Sequence, residues 1–179
     1  MQVPNKPQLP PPKVMQRIDD EIAYNATTGD LTWINHLYKS RINSIAGYID
    51  GHGYRVITFV VNKKHLHIKA HHIAYYKMRG KWPPREMDHK KGNKIDNRWR
   101  KLRLATRNQQ MQNIGLRKDN TSGTKGIYWD KNRWKASIRY QGKLIHIGTF
   151  LSHEKAVQAR KQAEKYYFGK YRYKNNRVK

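Results

Sequence analysis

The chain has 179 residues, with 38 Lys and Arg against 12 Asp and Glu, and a formal net charge of +26 at pH 7. This length suits one or two small domains, and the absence of cysteine excludes disulfides, zinc–cysteine sites and a thiol nucleophile. Such an excess of positive charge opposes compaction by self-repulsion, so we expect an anionic partner. Nucleic acid is the first candidate, because contacts of many Lys and Arg with its phosphates release counterions and so favour binding.

An anionic membrane surface is the alternative partner. No apolar run approaches the roughly 18 residues of a membrane helix, and no basic amphipathic helix with a wide apolar face is present. The first residues also lack the apolar core of a signal peptide. The sequence therefore predicts a cytoplasmic protein that binds nucleic acid rather than membrane.

The first part of the chain predicts a tail, a short helix and a small antiparallel sheet. Residues 1–13 hold five of the seven prolines, which predicts a disordered tail through residue 14. Residues 18–24 suit a short helix, and "TTGD" at 27–30 suits a turn that leads into a strand, "LTWI". Residues 54–61 read as a buried strand that turns at Asn62-Lys63 into the alternating strand "HLHIKA".

Two helices are predicted in the middle of the chain. "HHIAYYKMRG" reads as a helix closed by Gly80, and "KWPPRE" breaks the pattern after it. "ATRNQQMQNIG" reads as a second helix, with a capping box at Thr106 and Gln109 and a stop at Gly115. The polar, basic stretch at 117–124 is the predicted linker, so a first domain is expected over 15–116.

The last third predicts three strands and one helix as a second domain over 125–170, followed by a basic tail at 171–179. The strands are expected at 126–129, 134–140 and 143–150, and the helix from a Ser152 cap to about Phe168. Residues 134–140 alternate between apolar and cationic side chains, so one face packs on the helix and the other faces outward. The helix stripe toward the sheet is predicted to contain Ala156, Ala159, Ala163 and Tyr166. The fold class is thus α+β.

An Asp-His pair, Asp88-His89, stands inside the basic stretch "MDHKKGNKIDNRWRKLR". Hydrolysis of a phosphodiester needs a base to activate water and a divalent ion to stabilise the leaving oxygen. Histidine suits the base because its ordinary pKa is about 6.5, and aspartate suits a magnesium ion, which prefers oxygen ligands. A surface turn without catalysis is the alternative for an isolated Asp-His pair.

The surrounding sequence resembles the phage-type HNH endonucleases, including those related to homing enzymes. The landmarks are His71, Gly80-x-Trp82-Pro83, Asp88-His89, Gly92-Asn93, Asp96-Asn97-Arg98, Leu102-Arg103 and Ala105-Thr106-Arg107, with "TGDLTW" and "AGYIDGHGYRVITF" upstream. The resemblance implies a ββα-metal motif at about 83–113 that enters the minor groove. It makes His89 the general base and Asp88 a ligand of one Mg²⁺ or Mn²⁺ ion.

The sequence departs from this family at two positions. The family usually has Asn twelve residues after the His, where Lys101 stands, and again at twenty-one, where Gln110 stands. Gln110 keeps an amide oxygen for the metal, but Lys101 accepts no hydrogen bond from His89. Asn97 or Asn108 is the expected substitute, and Asn97 is the one assigned to the site.

The C-terminal region, from "SGTKGIYWD" to the Ala-rich helix, resembles the ethylene-response-factor type of DNA-binding domain. The matching residues include Lys125-Gly126-Ile127, Trp134, Ala136-Ser137-Ile138-Arg139 and Gly148-Thr149-Phe150. The resemblance implies that an outward sheet face reads the major groove. The implied DNA-contacting residues are Lys125, Tyr128, Arg133, Lys135, Arg139, His146 and Thr149.

Together these features predict a metal-dependent DNA endonuclease that nicks duplex DNA as a monomer in a bacterial host cell, with no membrane partner and no small-molecule substrate. A catalytically impaired DNA-binding descendant is the alternative, because of Lys101 and Gln110. A basic RNA-binding or ribosome-associated protein is a third possibility.

Overall fold

The protein is described by a computed structural model that covers residues 6–117 and 119–173. The chain divides into two compact units between Arg107 and Asn108. The described part contains four small antiparallel sheets, which confirms the predicted α+β class. The helices and strands are, in chain order, α1 (Pro12–Glu21), β1 (Ile22–Tyr24), β2 (Leu31–Trp33), β3 (Tyr48–Ile49), β4 (Arg55–Val61), β5 (Lys64–Lys69), α2 (Ala70–Arg79), β6 (Met87–His89), β7 (Leu102–Leu104), α3 (Arg107–Gln112), β8 (Ile127–Asp130), β9 (Arg133–Tyr140), β10 (Lys143–Phe150) and α4 (His153–Phe168).

The N-terminal helix begins inside the stretch predicted to be a disordered tail through residue 14. α1 starts at Pro12, and Val14 is fully buried, as are Ile18 and Ile22, which follow at intervals of four. Proline is favourable in the first turn of a helix, and burial of each aliphatic side chain stabilises by about 1.5–3 kcal/mol. The helix ends at Glu21, so residues 22–24, predicted as helix, instead form β1 and pair with β2.

The main core of the first unit lies between α1, the β3–β4–β5 sheet and α2. Ile57 pairs with Ile68 on the sheet face that packs inward, and Phe59 is fully buried beside them. The predicted turn between β4 and β5 is confirmed, because Asn62 and Lys63 both have positive φ angles, 50° and 61°.

A two-stranded ribbon, β6 and β7, packs against α2. Met87 and Leu102 are buried with Ala74 and Tyr75 of the helix. The ribbon register pairs Asp88 with Arg103 and His89 with Leu102. The predicted stop of α2 is also confirmed, since Gly80 caps the helix in the left-handed conformation at φ 65°.

The second unit contains a three-stranded sheet in the order β10–β9–β8, covered on one face by α4. Ile127, Ala136 and Ala156 form its core, and the Ser152 side chain accepts a hydrogen bond from the Lys155 amide, as predicted for the helix cap. Tyr166 was predicted to face the sheet, but it is 82% exposed. The buried positions of α4 are instead spaced by four or eight, at Ala156, Arg160 and Phe168.

Two predicted boundaries differ from the structure. α3 ends at Gln112, before the predicted stop at Gly115. The division between units precedes the predicted linker at 117–124, because residues 108–116 pack with the C-terminal unit. Residues 174–179 of the predicted basic tail lie outside the described residues. No helix in the described ranges is long and apolar enough to cross a membrane.

Candidate active site

The Asp-His pair lies at the end of β6, where neighbouring side chains point to opposite faces of the ribbon. Asp88 faces Arg103 across the ribbon, while His89 points inward and is 4% exposed. The irregular loop of residues 90–98 begins directly after His89 and returns to the short 3₁₀ turn Trp99–Lys101. The ribbon thus separates a carboxylate from an imidazole by one peptide unit.

The His89 ring contacts Asn97, the asparagine that the sequence analysis assigned to the site. His89 Nε2 lies 3.2 Å from Asn97 Oδ1, and Asn97 Nδ2 donates to the Ile95 carbonyl oxygen at 3.2 Å. The second bond fixes which end of the amide faces the imidazole, so His89 Nε2–H donates to Asn97 Oδ1. The lone pair that accepts a proton is therefore on Nδ1.

Two further rings pack around His89: His71, a landmark of the resemblance that was given no role at the site, and Tyr54, which was not assigned to it. The His71 ring meets the His89 ring edge-on at 5.1 Å between centroids, and the Tyr54 ring lies 6.0 Å from it. Burial holds the pKa of His71 well below its usual value, with the neighbouring His72 as the next cause. His71 therefore packs as a neutral ring. The signal in the sequence was its match to a landmark position of the HNH resemblance.

The surroundings of His89 favour its neutral form near pH 7. Burial lowers its pKa, and the hydrogen bond with Asn97 and the charge of Asp88 oppose this shift in part. A neutral imidazole is the protonation state that a general base requires.

The Asp88 carboxylate is bound by an arginine that the sequence analysis gave no role. Arg103 donates to Asp88 Oδ2 from Nε at 2.8 Å and from Nη2 at 2.6 Å, and each side chain is 11% exposed. The two residues stand opposite each other in the ribbon register, and opposite charges at such positions stabilise the pairing of two strands.

The side-chain oxygens of this site are of the type that binds a divalent ion, but there are few of them. Across the described ranges, no group of three or more His, Cys, Asp or Glu side chains could hold a metal ion. One carboxylate suffices for Mg²⁺ when waters and substrate phosphates complete its shell, so Asp88 is compatible with such a site. Gln110, the second predicted ligand, and Asn108 lie on α3 among residues of the second unit.

Lys101 ends the short 3₁₀ turn that leads into β7. Its backbone carbonyl accepts a hydrogen bond from the Lys90 amide at 2.8 Å. Desolvation and the nearby cations Lys91, Arg98 and Arg100 lower the pKa of its amine. Asn97, not Lys101, provides the side chain that contacts His89.

A cationic cleft of about 640 Å³ opens beside the ribbon in the first unit. Tyr75 and Trp99 contribute aromatic walls, and Arg79 lies over the Trp99 ring at 5.4 Å. Among the described residues, no carboxylate forms an ion pair with any of four cations in its lining, namely Arg79, Lys81, Lys90 and Arg100. Cations gathered without acidic partners repel one another, so the cleft suits an anionic ligand.

The outward face of the second unit contains six of the seven residues predicted to contact DNA. In the strand register Tyr128, Lys135 and Thr149 form one row across the three strands. The remaining members of this face from the prediction are Arg133, Arg139 and His146. Lys135 forms an ion pair with Asp130 on the neighbouring strand.

Lys125, the seventh predicted DNA contact, is engaged inside its own unit. Its amine donates to the Ile114 carbonyl oxygen at 2.8 Å, and burial lowers its pKa. An amine used in this way does not extend from the outward face of the sheet.

Comparison with known proteins relates the ribbon segment to nucleases. Residues 69–112 match the family model described as HNH endonuclease, a segment that includes Asp88, His89, Asn97 and Gln110. Over 59 residues the chain is 37% identical to protein 3.8 of Escherichia phage T7, which covers 32% of this chain and 49% of the relative. The chain thus spans about half the length of the curated relative it matches.

One solved structure, described as DNA binding and cleavage by the HNH homing endonuclease I-HmuI, is also similar. The similarity covers 48% of this chain and 47% of that chain, with 23% sequence identity and a TM-score of 0.37.

Proposed function

We propose that the protein is a metal-dependent endonuclease of the HNH class that hydrolyses phosphodiester bonds in duplex DNA. The observation that supports this most is the buried His89, held neutral and oriented by Asn97 within the segment that matches the HNH endonuclease family. A single ribbon site cuts one strand at each binding event, so we expect nicking by a monomer. The phage relative supports an origin in a phage and action in the cytoplasm of its host.

The protein groups divide the chemistry between the two faces of the ribbon. His89 accepts a proton from water at Nδ1, while its Nε2–H remains bonded to Asn97, which stabilises the imidazolium that forms. A Mg²⁺ or Mn²⁺ ion held by Asp88, with Gln110 as the second proposed ligand, would supply positive charge for the phosphate and the departing 3′ oxygen. His71 and Tyr54 keep the base ring in place and limit its access to water.

DNA is proposed to bind both units. The outward sheet face of the second unit offers Arg133, Lys135 and Arg139 to phosphates or guanine edges. In the first unit, the cationic cleft offers Arg79, Lys81 and Arg100 to the backbone of the strand beside the ribbon. Because Lys125 is engaged internally, the proposed face comprises the other six predicted residues.

The second candidate function is DNA binding without catalysis. Two observations favour it: Arg103 occupies the Asp88 carboxylate, and Lys101 stands where the family usually has an asparagine. The Arg103 guanidinium places positive charge on the proposed metal ligand, which opposes the binding of a cation, and Lys101 cannot accept a hydrogen bond from His89.

Incubation of supercoiled plasmid with the protein and Mg²⁺ or Mn²⁺ distinguishes the two functions. Wild type is expected to convert the plasmid to the nicked form, and His89→Ala is expected to lose this activity. His65→Ala is the matched control, because it removes an imidazole from the exposed face of β5. Tight DNA binding with no cleavage by wild type under any metal would support the second candidate, and equal cleavage by His89→Ala would exclude His89 as the base.

A further inference from the structure

The loop that contains Asn97 is held by a turn from the N-terminal part of the first unit. The Trp99 amide donates to the Ala26 carbonyl oxygen at 3.0 Å. The Tyr24 hydroxyl donates to the Asn97 carbonyl oxygen at 2.8 Å. The Asn97 side chain is itself 2% exposed, so its peptide is fixed by residues more than seventy positions away in sequence.

Gly29 permits this close approach. Its φ is +85°, and a Cβ at this position would lie 2.4 Å from the Arg98 nitrogen and 2.7 Å from the Asn97 carbonyl carbon. Real Cβ atoms do not approach backbone so closely, so any larger residue must push the Asn97–Arg98 peptide away. The close contact is with backbone, which cannot swing aside as a side chain can.

The turn around Gly29 is braced by its own hydrogen bonds. The Asn25 side-chain oxygen accepts from the Thr27 amide at 2.9 Å and from the Thr28 amide at 3.2 Å. The Gly29 amide donates to the Asn25 carbonyl oxygen at 2.8 Å. A turn closed in this way presents a rigid surface to the loop.

We infer that Tyr24 and Gly29 are positioning residues of the nuclease site, which act by fixing the peptide from which Asn97 reaches His89. The loop at 90–98 has no strand or helix to set the direction of the Asn97 side chain. The contacts with the turn at 25–30 replace that support, and they place Asn97 Oδ1 within hydrogen-bond distance of the imidazole. The effect on catalysis rests on the proposed function, whereas the effect on Asn97 does not.

The first test replaces Tyr24 by Phe, which removes one hydroxyl and keeps the ring. We expect the Asn97 side-chain amide, followed by nuclear magnetic resonance, to exchange its hydrogens faster with solvent. We expect kcat for nicking to fall about fivefold, the worth of one hydrogen bond, with KM unchanged. Tyr76→Phe is the matched control, because its hydroxyl donates to Asp19 at 2.6 Å and touches no part of the loop; it should change neither quantity.

The second test replaces Gly29 by Ala, with Gly123→Ala as control. Gly123 has a similar φ of +70° but nothing within 4 Å of an added Cβ, so the control carries the backbone strain without the clash. Faster Asn97 exchange in Gly29→Ala and not in the control supports the inference, even if wild type proves not to cut DNA. Wild-type exchange and wild-type kcat in Tyr24→Phe, or equal changes in Tyr76→Phe, would overturn it.

Discussion

Replacement of Arg79, Lys81 and Arg100 by glutamine is expected to flatten the salt dependence of DNA binding. These side chains line one cleft and, in the described part of the chain, pair with no carboxylate, so we assign one phosphate to each. Lys90 is left unchanged because its amine donates to the Arg100 carbonyl oxygen at 2.7 Å.

The size of the effect follows from counterion release. Each phosphate contact contributes about 0.9 to the slope of log K against log salt, so three contacts contribute about 2.7. Between about 50 and 200 mM salt, wild type should therefore lose about 40-fold more affinity than the triple variant. Fluorescence anisotropy of a labelled duplex, without added divalent ion, measures both slopes while cleavage is suppressed.

A second triple variant controls for net charge. Lys13, Lys39 and Lys64 are exposed cations of the same unit outside the cleft, and their replacement by glutamine removes the same formal charge. The slope of this control should stay near wild type. A cleft variant with the wild-type slope, or a control that flattens equally, would refute the assignment of phosphates to the cleft.

Three further predictions concern single residues. Burial lowers the pKa of His72 to about 3; since unfolded histidine takes up a proton below about pH 6.5, unfolding free energy should fall by about 1.4 kcal/mol per pH unit below that pH. Urea titrations measure this slope, and His72→Gln should show a smaller one. Lys101→Asn should raise the nicking rate, measured on plasmid, because it restores the hydrogen-bond acceptor that the family usually has at this position; no gain would leave Lys101 without an inhibitory role. Arg139→Gln should weaken duplex binding, whereas Lys125→Gln should instead lower thermal stability, because its amine bonds Ile114; the reverse pattern in anisotropy and melting would contradict the proposed face.

The site residues that were predicted from the sequence lie close to one another along the chain. The resemblance to HNH endonucleases assigned the Asp88-His89 pair and Asn97 to the site, and these residues lie on one hairpin, with Asn97 eight residues after His89. The outward sheet face of the second unit could also be predicted from the sequence, because strict alternation along β9 places Arg133, Lys135 and Arg139 on one side.

The parts that were missed depend on contacts between distant elements. Tyr54 and His71 reach His89 only once α2 packs on the ribbon and the sheet. The start of the N-terminal helix was missed because its prolines suggested a tail, while the burial of Val14 depends on packing against elements that come much later in the chain. Tyr166 was misplaced because the predicted stripe continued from Ala163 by a spacing of three. The last buried residue of α4 is instead Phe168, eight residues after Arg160.

The cross-strand pair of Asp88 and Arg103 bears on the order in which a nuclease of this kind would assemble. A bare carboxylate at the tip of a hairpin would repel an approaching phosphodiester backbone. The Arg103 guanidinium balances this charge, which, under the proposed function, would let the hairpin bind duplex DNA before a metal ion is bound. Two anionic groups, the Asp88 carboxylate and a DNA phosphate, would then compete for the Arg103 guanidinium. Its transfer to the phosphate would leave the Asp88 carboxylate able to bind a divalent ion.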